Sequence, residues 1–215
     1  MPRPYKPRYR RRLPHLQPKE GTFFVTYRLH GSIPMALLRK WKLEQEEEIA
    51  RIGSLGLDTA DLESKLAELH WRYFTERYDP YLDGNLNGPY WLSEPEVARA
   101  VADSLAYCGK HFFHLWAYCV MSNHVHALFT LREGSPPLYD VLGRHKSFTG
   151  NVANKLLGRE GFFWQHESYD HMVRNDKSFG WILQYILENP VRANLVECWE
   201  DWPWTFCSAE LLPEG

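Results

Sequence analysis

The chain lacks the cysteine patterns that hold many small domains together. Its four cysteines, Cys108, Cys119, Cys198 and Cys207, are scattered along 215 residues without a Cys-x-x-Cys pair. This spacing argues against a structural zinc site and against a disulfide scaffold, and it favours a reducing cytoplasm. Long apolar runs are also missing, and the N-terminus lacks the apolar stretch of a signal peptide. We therefore expect neither a membrane span nor secretion.

Acidic residues are absent from the first twelve positions. This segment instead carries six basic side chains, those of Arg3, Lys6, Arg8, Arg10, Arg11 and Arg12. The rest of the chain contains the other 19 of the 25 basic residues and all 27 acidic residues, so it is negatively charged overall. Three prolines among them prevent a packed helix. We predict that residues 1–20 form a basic flexible or extended arm suited to contacting phosphates, with a solvated tail as the alternative.

Aromatic side chains, in contrast, are abundant. Nine Trp and twelve Tyr suffice for a substantial core or for a stacking surface, and composition does not separate the two. The length of the chain allows one sizeable domain, or one domain with an insertion.

Two histidines interrupt an otherwise almost wholly apolar run at residues 118–130. His124 and His126 lie two positions apart, and side chains at that spacing leave a strand on the same face. The pair can therefore share one metal ion while Val125 points into the core. Two imidazoles are an incomplete shell, so a third donor must come from elsewhere. An ordinary packed strand is the alternative interpretation.

Alternating and aromatic-rich patterns predict the strands, and a 3.6-residue period predicts the helices. The strands are expected at residues 21–30, 111–121 and 124–131, the last two as a hairpin, with a further extended segment at 162–174. The helices are expected at 34–51, 59–78, 93–109, 138–157 and 178–188. The first two look like an inserted hairpin, Ser93 is a candidate cap for the third, and residues 79–89 read as an irregular loop.

The helix predicted at 138–157 has an apolar side and a basic side. The inward stripe is expected to contain Leu138, Val141 or Leu142, Phe148, Val152 and Leu156. The outward side is expected to carry Arg144, His145, Lys146 and Lys155. Such a basic face can meet a backbone phosphate, and solvated lysines are the alternative.

The helix predicted at 178–188 places Tyr185 away from its apolar stripe. Tyr185 points toward the flank that Trp181 and, one turn later, Asn189 also occupy. A tyrosine offers an oxygen nucleophile, and an asparagine carbonyl offers a hard oxygen ligand. The two could therefore complete an active site in which His124 and His126 supply the first metal ligands. The alternative is a boundary tyrosine followed by an asparagine that caps the helix C-terminus.

Four segments together resemble a known family. They are residues 120–126 (VMSNHVH), 163–165 (FWQ), 185–196 (YILENPVRANLV) and 202–204 (WPW). In this order they are similar to the REP-associated tyrosine transposases, single-tyrosine members of the HUH endonuclease superfamily. The resemblance spans residues 21–206 and implies one α+β domain with a ferredoxin-like, RRM-like antiparallel sheet, packed helices and a helical insertion at 34–78. Residues 207–215 would form a C-terminal tail.

The resemblance also implies roles for individual residues. His124 and His126 would be the metal pair, Asn189 the third ligand from the nucleophile's own helix, and Tyr185 the nucleophile. The implied activity is cleavage and transfer of single-stranded DNA through a 5′-phosphotyrosine, dependent on Mg²⁺ or Mn²⁺. Neither the resemblance nor the residues assign a general base; His171 and Lys146 are the candidates, and a structural role is the alternative for each.

The implied substrate is a DNA hairpin formed by a REP-like palindrome, which would place the protein at the nucleoid. The basic arm, and with it Lys146, would contact the phosphates, and the oligomeric state stays open between monomer and homodimer. Two other functions remain possible. One is a non-catalytic hairpin-binding regulator, and the other is an RRM-like RNA-binding protein in which the two histidines are merely packed.

Three features depart from the family pattern. Ser122 stands where a proline is usual, and the insertion at 34–78 is longer than in compact members. Asn194 replaces a usual glycine in a position after a helix that requires a left-handed backbone. Asparagine is the next best residue there, so the local fold is expected to persist.

Overall fold

The structure is a computed structural model that describes residues 20–84 and 88–212 and the backbone of residues 8–10 and 14–16. The chain divides into two compact units. One contains residues 31–89, which include the predicted insertion. The other contains residues 1–30 and 90–215 and carries the sheet.

The described elements follow the predicted alternation of strands and helices. The strands are β1 (Arg8–Arg10), β2 (Pro14–Leu16), β3 (Thr22–Arg28), β4 (Phe113–Val120), β5 (His124–Leu131), β6 (Tyr169–Val173) and β7 (Thr205–Cys207). The helices are α1 (Met35–Gly53), α2 (Thr59–Tyr73), α3 (Asp79–Gly84), α4 (Pro95–His111), α5 (Leu138–Leu156), α6 (Asp176–Leu187) and α7 (Asn189–Arg192). None of the helices in the described ranges is both long and apolar enough to cross a bilayer.

The sheet has the strand order β6-β3-β5-β4-β7, and every neighbouring pair is antiparallel. The chain order β3-α4-β4-β5-α5-β6 with the spatial order β6-β3-β5-β4 is the ferredoxin-like arrangement. This confirms the predicted α+β fold. The predicted hairpin is also present, because β4 and β5 are joined directly and pair with each other.

One face of the sheet forms the main core. Val25 and Tyr27 of β3 and Val125 of β5 point to this face, where α4 and α5 cover it, and all three are at most 1% exposed. Burying a side chain of this size stabilises the fold by about 1.5–3 kcal/mol. The alternation along β5 thus sends Val125 into the core and its two histidine neighbours to the opposite face.

The inward side of α5 differs from the predicted stripe. Phe148 and Leu156 are exposed, whereas His145 and Thr149 are buried. The buried polar groups are satisfied, since His145 Nε2 lies 2.7 Å from the Tyr27 hydroxyl and Trp164 Nε1 donates to Thr149 Oγ1 at 2.9 Å. The prediction was wrong because it ranked side chains by hydrophobicity alone, and hydrogen bonding removes the cost of burying a polar group.

The start of α4 also differs from its prediction. Ser93 lies in a 3₁₀ turn, and the helix begins at Pro95 after Glu94, without a side-chain cap. Pro95 has no amide hydrogen, so no hydrogen-bond acceptor has to be supplied for it in the first helical turn. The helix therefore starts there without the expected capping box.

The unit formed by residues 31–89 is helical throughout most of its length. A π-helical turn, Phe74–Tyr78, continues α2 into α3, so the predicted loop is wrong for residues 79–84, which are helical. The Trp41 ring packs 4.9 Å from the Tyr78 ring and 5.8 Å from the Tyr81 ring. These contacts stabilise helical backbone in a segment whose composition favours turns.

The predicted basic arm is described only in part. The backbone of β1 pairs antiparallel with that of β2. The side chains of Arg3, Lys6, Arg8, Arg10, Arg11 and Arg12 lie outside the described residues. Their contact with phosphates therefore stays a prediction.

We expect the buried His145 to make stability depend on pH. Burial, with a smaller contribution from the charge of Lys146, lowers the pKa of His145 from 6.5 to about 3. Between these values the unfolded chain binds a proton that the folded chain does not, so the free energy of unfolding falls as the pH falls from 6.5 toward 3. This residue contributes a loss of up to about 1.4 kcal/mol per pH unit.

Urea unfolding at a series of pH values measures this effect. His145→Gln keeps a hydrogen-bonding side chain but cannot titrate, so its stability should fall less steeply below pH 6.5 than that of the wild type. His111→Gln, at an exposed histidine, is the matched control and should keep the wild-type slope. Equal slopes in the wild type and His145→Gln would contradict this assignment.

Candidate active site and metal centre

Strand β5 presents His124 and His126 on the sheet face opposite the core. Their Nε2 atoms lie 2.9 Å apart, and both side chains are almost completely buried. In the register with β3, His126 pairs with Thr26 and His124 with Arg28. The predicted sharing of one face by the two histidines is therefore present in the structure.

The other ring nitrogens are held by oxygen atoms. His124 Nδ1 lies 2.7 Å from Asn123 Oδ1, and His126 Nδ1 lies 2.7 Å from Thr26 Oγ1. An amide oxygen only accepts, so His124 Nδ1 donates the hydrogen and its Nε2 carries the lone pair. If Thr26 likewise accepts, both Nε2 lone pairs face each other, and this repulsive contact is relieved by a shared cation or proton. Oxygen partners of this kind orient metal-binding histidines.

Asn189 brings an amide to the same point. Its Nδ2 lies 3.0 Å from His126 Nε2, and the side chain is completely buried. Within residues 20–84 and 88–212, its Oδ1 is buried without a hydrogen-bond partner. A half-turn of the amide exchanges the two atoms and directs the oxygen toward the histidines. Two imidazole nitrogens and one amide oxygen form a donor set of the kind that holds a metal ion.

The position of Asn189 in the chain differs slightly from the prediction. It begins the short helix α7 instead of lying at the end of α6, which stops at Leu187. Pro190 explains the break, because it has no amide hydrogen to continue the bonding pattern of α6. The backbone stays nearly helical at Glu188, with φ −74° and ψ −4°, so Tyr185 and Asn189 still face the same region.

Tyr185 lies beside the histidines. Its ring centroid is 5.9 Å from that of His126 and 6.1 Å from that of Phe24. The side chain is half-buried, whereas Ile182 and Ile186 of the same helix are buried against the sheet. This agrees with the position away from the apolar stripe that the helical period predicts.

Arg192 is a feature of the site that the sequence analysis missed. Its guanidinium carbon lies 4.0 Å from the centroid of the Tyr185 ring, and its Nη1 donates to the Tyr185 carbonyl at 3.4 Å. Stacking of a guanidinium on an aromatic ring is favourable. The spacing of seven residues, two helical turns, was the available signal, but Pro190 between them obscured it.

The turn before the histidines is held from several sides. Trp202 Nε1 donates to the Val120 carbonyl at 3.0 Å, and the Val120 amide donates to the Trp204 carbonyl at 3.0 Å. The Leu29 amide donates to the Asn123 carbonyl at 2.8 Å. The two tryptophans of the segment 202–204 thus position the end of β4 directly before Asn123 and His124.

Asn194 adopts the left-handed conformation expected of it, with φ +56°. The Leu195 amide donates to the Pro190 carbonyl and the Asn194 amide to the Val191 carbonyl, both at 2.9 Å. This pair of bonds is a Schellman motif, which closes α7 after Arg192, one turn beyond Asn189. The prediction for Asn194 is confirmed.

The two candidates for a general base lie in different places. Lys146 donates to the carbonyls of Gln165 at 2.7 Å and His166 at 3.0 Å, and its amine lies 6.0 Å from the centroid of the Tyr27 ring. Tyr27 points to the core face, so Lys146 lies across the sheet from the histidines. His171 pairs with Phe24 and lies on the same sheet face as the histidines, so its role as a base stays a prediction.

Comparison with known sequences identifies the family. No protein-family model matches the chain. A Haemophilus influenzae protein that carries the provisional name REP-associated tyrosine transposase is 30% identical over 120 residues, which are 50% of this chain and 68% of that protein. The chain belongs to the REP-associated tyrosine transposase family. The Escherichia coli K12 protein named REP-associated tyrosine transposase is 31% identical over 97 residues, which are 43% of this chain and 53% of that protein.

A solved structure supports the fold of this family member independently. It is described as a REP-associated tyrosine transposase bound to a REP hairpin, and it matches with a TM-score of 0.53 over 92% of this chain and 80% of that one. The sequence identity in this match is 19%, so it bears on the fold alone. The predicted family and its α+β fold are thus both confirmed.

We expect the histidine pair to bind Mn²⁺ in the absence of DNA. Because such an ion binds only the folded chain, it should raise the free energy of unfolding by about 2.7 kcal/mol at a concentration one hundred times the dissociation constant. Thermal unfolding with and without Mn²⁺ measures this stabilisation. His124→Ala/His126→Ala should abolish it, and Asn189→Ala should weaken it.

His111→Ala, which removes an exposed histidine from the end of α4, is the control for weak surface binding. It should leave the stabilisation by Mn²⁺ at its wild-type value. Persistence of the full stabilisation in His124→Ala/His126→Ala would contradict the assignment of this metal centre.

Proposed function

We propose that this family member cleaves and rejoins single-stranded DNA at hairpins through a tyrosine intermediate. The observation that carries the proposal is the Tyr185 ring, 5.9 Å from the His126 ring, beside a buried pair of histidine nitrogens and the Asn189 amide. A nucleophile next to a metal centre is the arrangement that metal-assisted phosphodiester chemistry needs. The neighbour of known structure was solved with a REP hairpin, which suggests the substrate class.

In the first step, the Tyr185 phenol oxygen bonds to phosphorus and the bond from phosphorus to the 3′-oxygen breaks. The products are a 5′-phosphotyrosine and a free 3′-hydroxyl, and the phenol proton is transferred overall to the leaving oxygen. His124, His126 and Asn189 would hold a Mg²⁺ or Mn²⁺ ion, which when bound stabilises the charge that develops on the phosphate. Attack by another 3′-hydroxyl reverses the step and joins the strands, so no nucleotide cofactor is required.

Arg192 would orient the scissile phosphate next to Tyr185. Its guanidinium stacks on the phenol ring at 4.0 Å, and a guanidinium matches the geometry of phosphate oxygens. Along the DNA outside the site, the basic arm from Arg3 to Arg12 would contact further phosphates.

The fold favours this function over RNA binding of the RRM type. RRM domains stack bases on an open sheet face. Here α4 and α5 cover one face, and α6 packs against β4 and β5 on the other. His124 and His126 are accordingly buried rather than displayed.

We expect Tyr185→Phe to abolish a covalent protein–DNA product. The measurement is denaturing electrophoresis after incubation of the protein with Mn²⁺ and labelled single-stranded DNA hairpins. Tyr169, on the same sheet face, is the discriminating control: burial raises the pKa of Tyr169 well above its usual value, with the charge of Asp170 adding to the effect. This makes Tyr169 a poor nucleophile, so Tyr169→Phe should keep the product.

Tyr107→Phe, at an exposed position on α4, controls for loss of a hydroxyl group in general. Loss of the covalent product in Tyr169→Phe but not in Tyr185→Phe would move the nucleophile to Tyr169. Tight hairpin binding by the wild type without any covalent product would instead favour the non-catalytic regulator.

Arg192→Ala should slow formation of the covalent product by about 10²–10³-fold, the effect of removing one group that stabilises developing charge. Single-turnover rates at saturating DNA measure this effect, and Arg192→Lys should recover part of the rate because it keeps the positive charge. Arg144→Ala, at an exposed arginine of α5, should react at the wild-type rate. An unchanged rate in Arg192→Ala would remove this residue from the mechanism.

A further inference from the structure

Arg28, the last residue of β3, is a basic side chain on the same sheet face as the two histidines. In the register of β3 with β5, Thr26 pairs with His126 and Arg28 pairs with His124. The Thr26 hydroxyl reaches the His126 ring at 2.7 Å, and Arg28 follows Thr26 by two residues, so it points to the same face. Directly paired side chains have Cβ atoms about 4.5–5.5 Å apart. The half-buried Arg28 side chain thus starts next to His124.

The backbone around Arg28 is held from both sides. Toward β5, the Leu29 amide donates to the Asn123 carbonyl at 2.8 Å, and on the other side the Gln165 amide donates to the Arg28 carbonyl at 2.9 Å. A long side chain on such a strand also reaches its diagonal neighbour, about 7–8 Å away. For Arg28 this neighbour is His126, two residues beyond its direct partner. The guanidinium can therefore reach the space in front of both imidazoles.

Tyr185 and Arg28 lie toward opposite ends of the histidine pair. The Tyr185 ring centroid is 6.1 Å from that of Phe24 and 5.9 Å from that of His126. Phe24 and Arg28 are on the same face of β3, four residues or roughly 13 Å apart. Thr26, the partner of His126, lies between them. Along the strand direction, the nucleophile, the histidine nitrogens and Arg28 therefore follow one another.

The geometry of phosphoryl transfer gives each end of this row a different role. The attacking and leaving oxygens stand roughly in line on opposite sides of phosphorus. A phosphate at the histidine nitrogens with the Tyr185 oxygen on one side directs its 3′-oxygen to the other side, where Arg28 begins. Arginine stays positively charged in proteins, so it can offset the charge that develops on this oxygen. Arg192 stacks on the Tyr185 ring at 4.0 Å and is placed on the side of the nucleophile.

We propose that the Arg28 guanidinium stabilises the 3′-oxygen that leaves when Tyr185 attacks. The inference rests on the proposed DNA-cleaving function and adds a residue to it. As the bond from phosphorus to the 3′-oxygen breaks, the oxygen takes the electron pair, and hydrogen bonds from the guanidinium stabilise its charge. The proton that reaches this oxygen is the one released by the phenol, and Arg28 keeps its own protons. In the joining step, which is the reverse reaction, the same contact favours the ionised form of the attacking 3′-hydroxyl.

A substrate with sulfur in place of the 3′-oxygen tests this role. The wild type selects a hairpin from a randomised DNA library, the cleaved phosphodiester is mapped, and the hairpin is synthesised with oxygen or sulfur at that 3′ position. With oxygen, Arg28→Ala should form the covalent product about 10²–10³-fold more slowly than the wild type in single-turnover reactions, the effect of removing one group that stabilises developing charge. A thiolate is a far more stable anion than an alkoxide, so with sulfur the deficit should shrink to about tenfold or less.

Arg192→Ala is the matched comparison, because Arg192 contacts the nucleophile. Its deficit should be the same with oxygen and with sulfur. Arg99→Ala, at an exposed arginine of α4 on the opposite side of the sheet, should react like the wild type with both substrates. Thermal unfolding without DNA should show the same stabilisation by Mn²⁺ in Arg28→Ala as in the wild type, since Arg28 is not one of the metal ligands.

An equal deficit of Arg28→Ala with both substrates, or a wild-type rate with oxygen, would overturn the assignment while leaving the mechanism at Tyr185 intact. Loss of the stabilisation by Mn²⁺ in Arg28→Ala would also overturn it, because Arg28 would then support the structure of the site. If Arg28→Ala does not fold, Arg28→Gln carries the same comparison with a longer, uncharged side chain. Absence of any covalent product from the wild type would overturn the proposed function and this inference with it.

Discussion

Two buried imidazoles with their Nε2 atoms 2.9 Å apart are the constraint on which the rest of the site depends. Their Nδ1 atoms are anchored by Asn123 and Thr26, so neither ring can turn its second nitrogen inward without losing a buried hydrogen bond, a loss that costs about 1–3 kcal/mol. The turn before them is itself held by hydrogen bonds between Val120 and the segment 202–204. These hydrogen bonds set the orientation in which the two rings present their Nε2 atoms.

The sheet separates stability from chemistry. On one face, α4 and α5 cover a continuous apolar core, and the polar network around His145 is buried within it with its hydrogen bonds satisfied. On the other face, α6 packs on β4 and β5 and brings Tyr185 and Asn189 to the histidines. Successive side chains of a strand point to opposite faces of the sheet. Residues that stabilise the core and residues of the site can therefore be direct neighbours in sequence.

Errors in the sequence-based predictions share one cause, the contribution of partners that are distant along the chain. Phe148 was expected inside and His145 outside, but hydrogen bonds with Tyr27 and Ser104, one at each ring nitrogen, make a buried histidine favourable. Asp79–Gly84 was expected as a loop because of its composition, yet it is helical, and the packing of Trp41 on Tyr81 stabilises it. The contact of Lys146 with phosphate stays a prediction, and in the structure its amine donates to the carbonyls of Gln165 and His166.

The sequence by itself determined the local features of this protein. The two-residue period of a strand places His124 and His126 on one face, and the helical period places Tyr185 outside the apolar stripe. The residue type at Asn194 indicates the left-handed backbone there. These depend on backbone geometry over a few residues, which the residue types specify directly. Only the tertiary structure decided that Asn189 reaches His126, that Arg192 stacks on Tyr185 across the break at Pro190, and that Arg28 pairs with His124 in the sheet. Those contacts depend on how β3 pairs with β5 and how α6 and α7 pack against the sheet, and packing is a property of the whole folded chain.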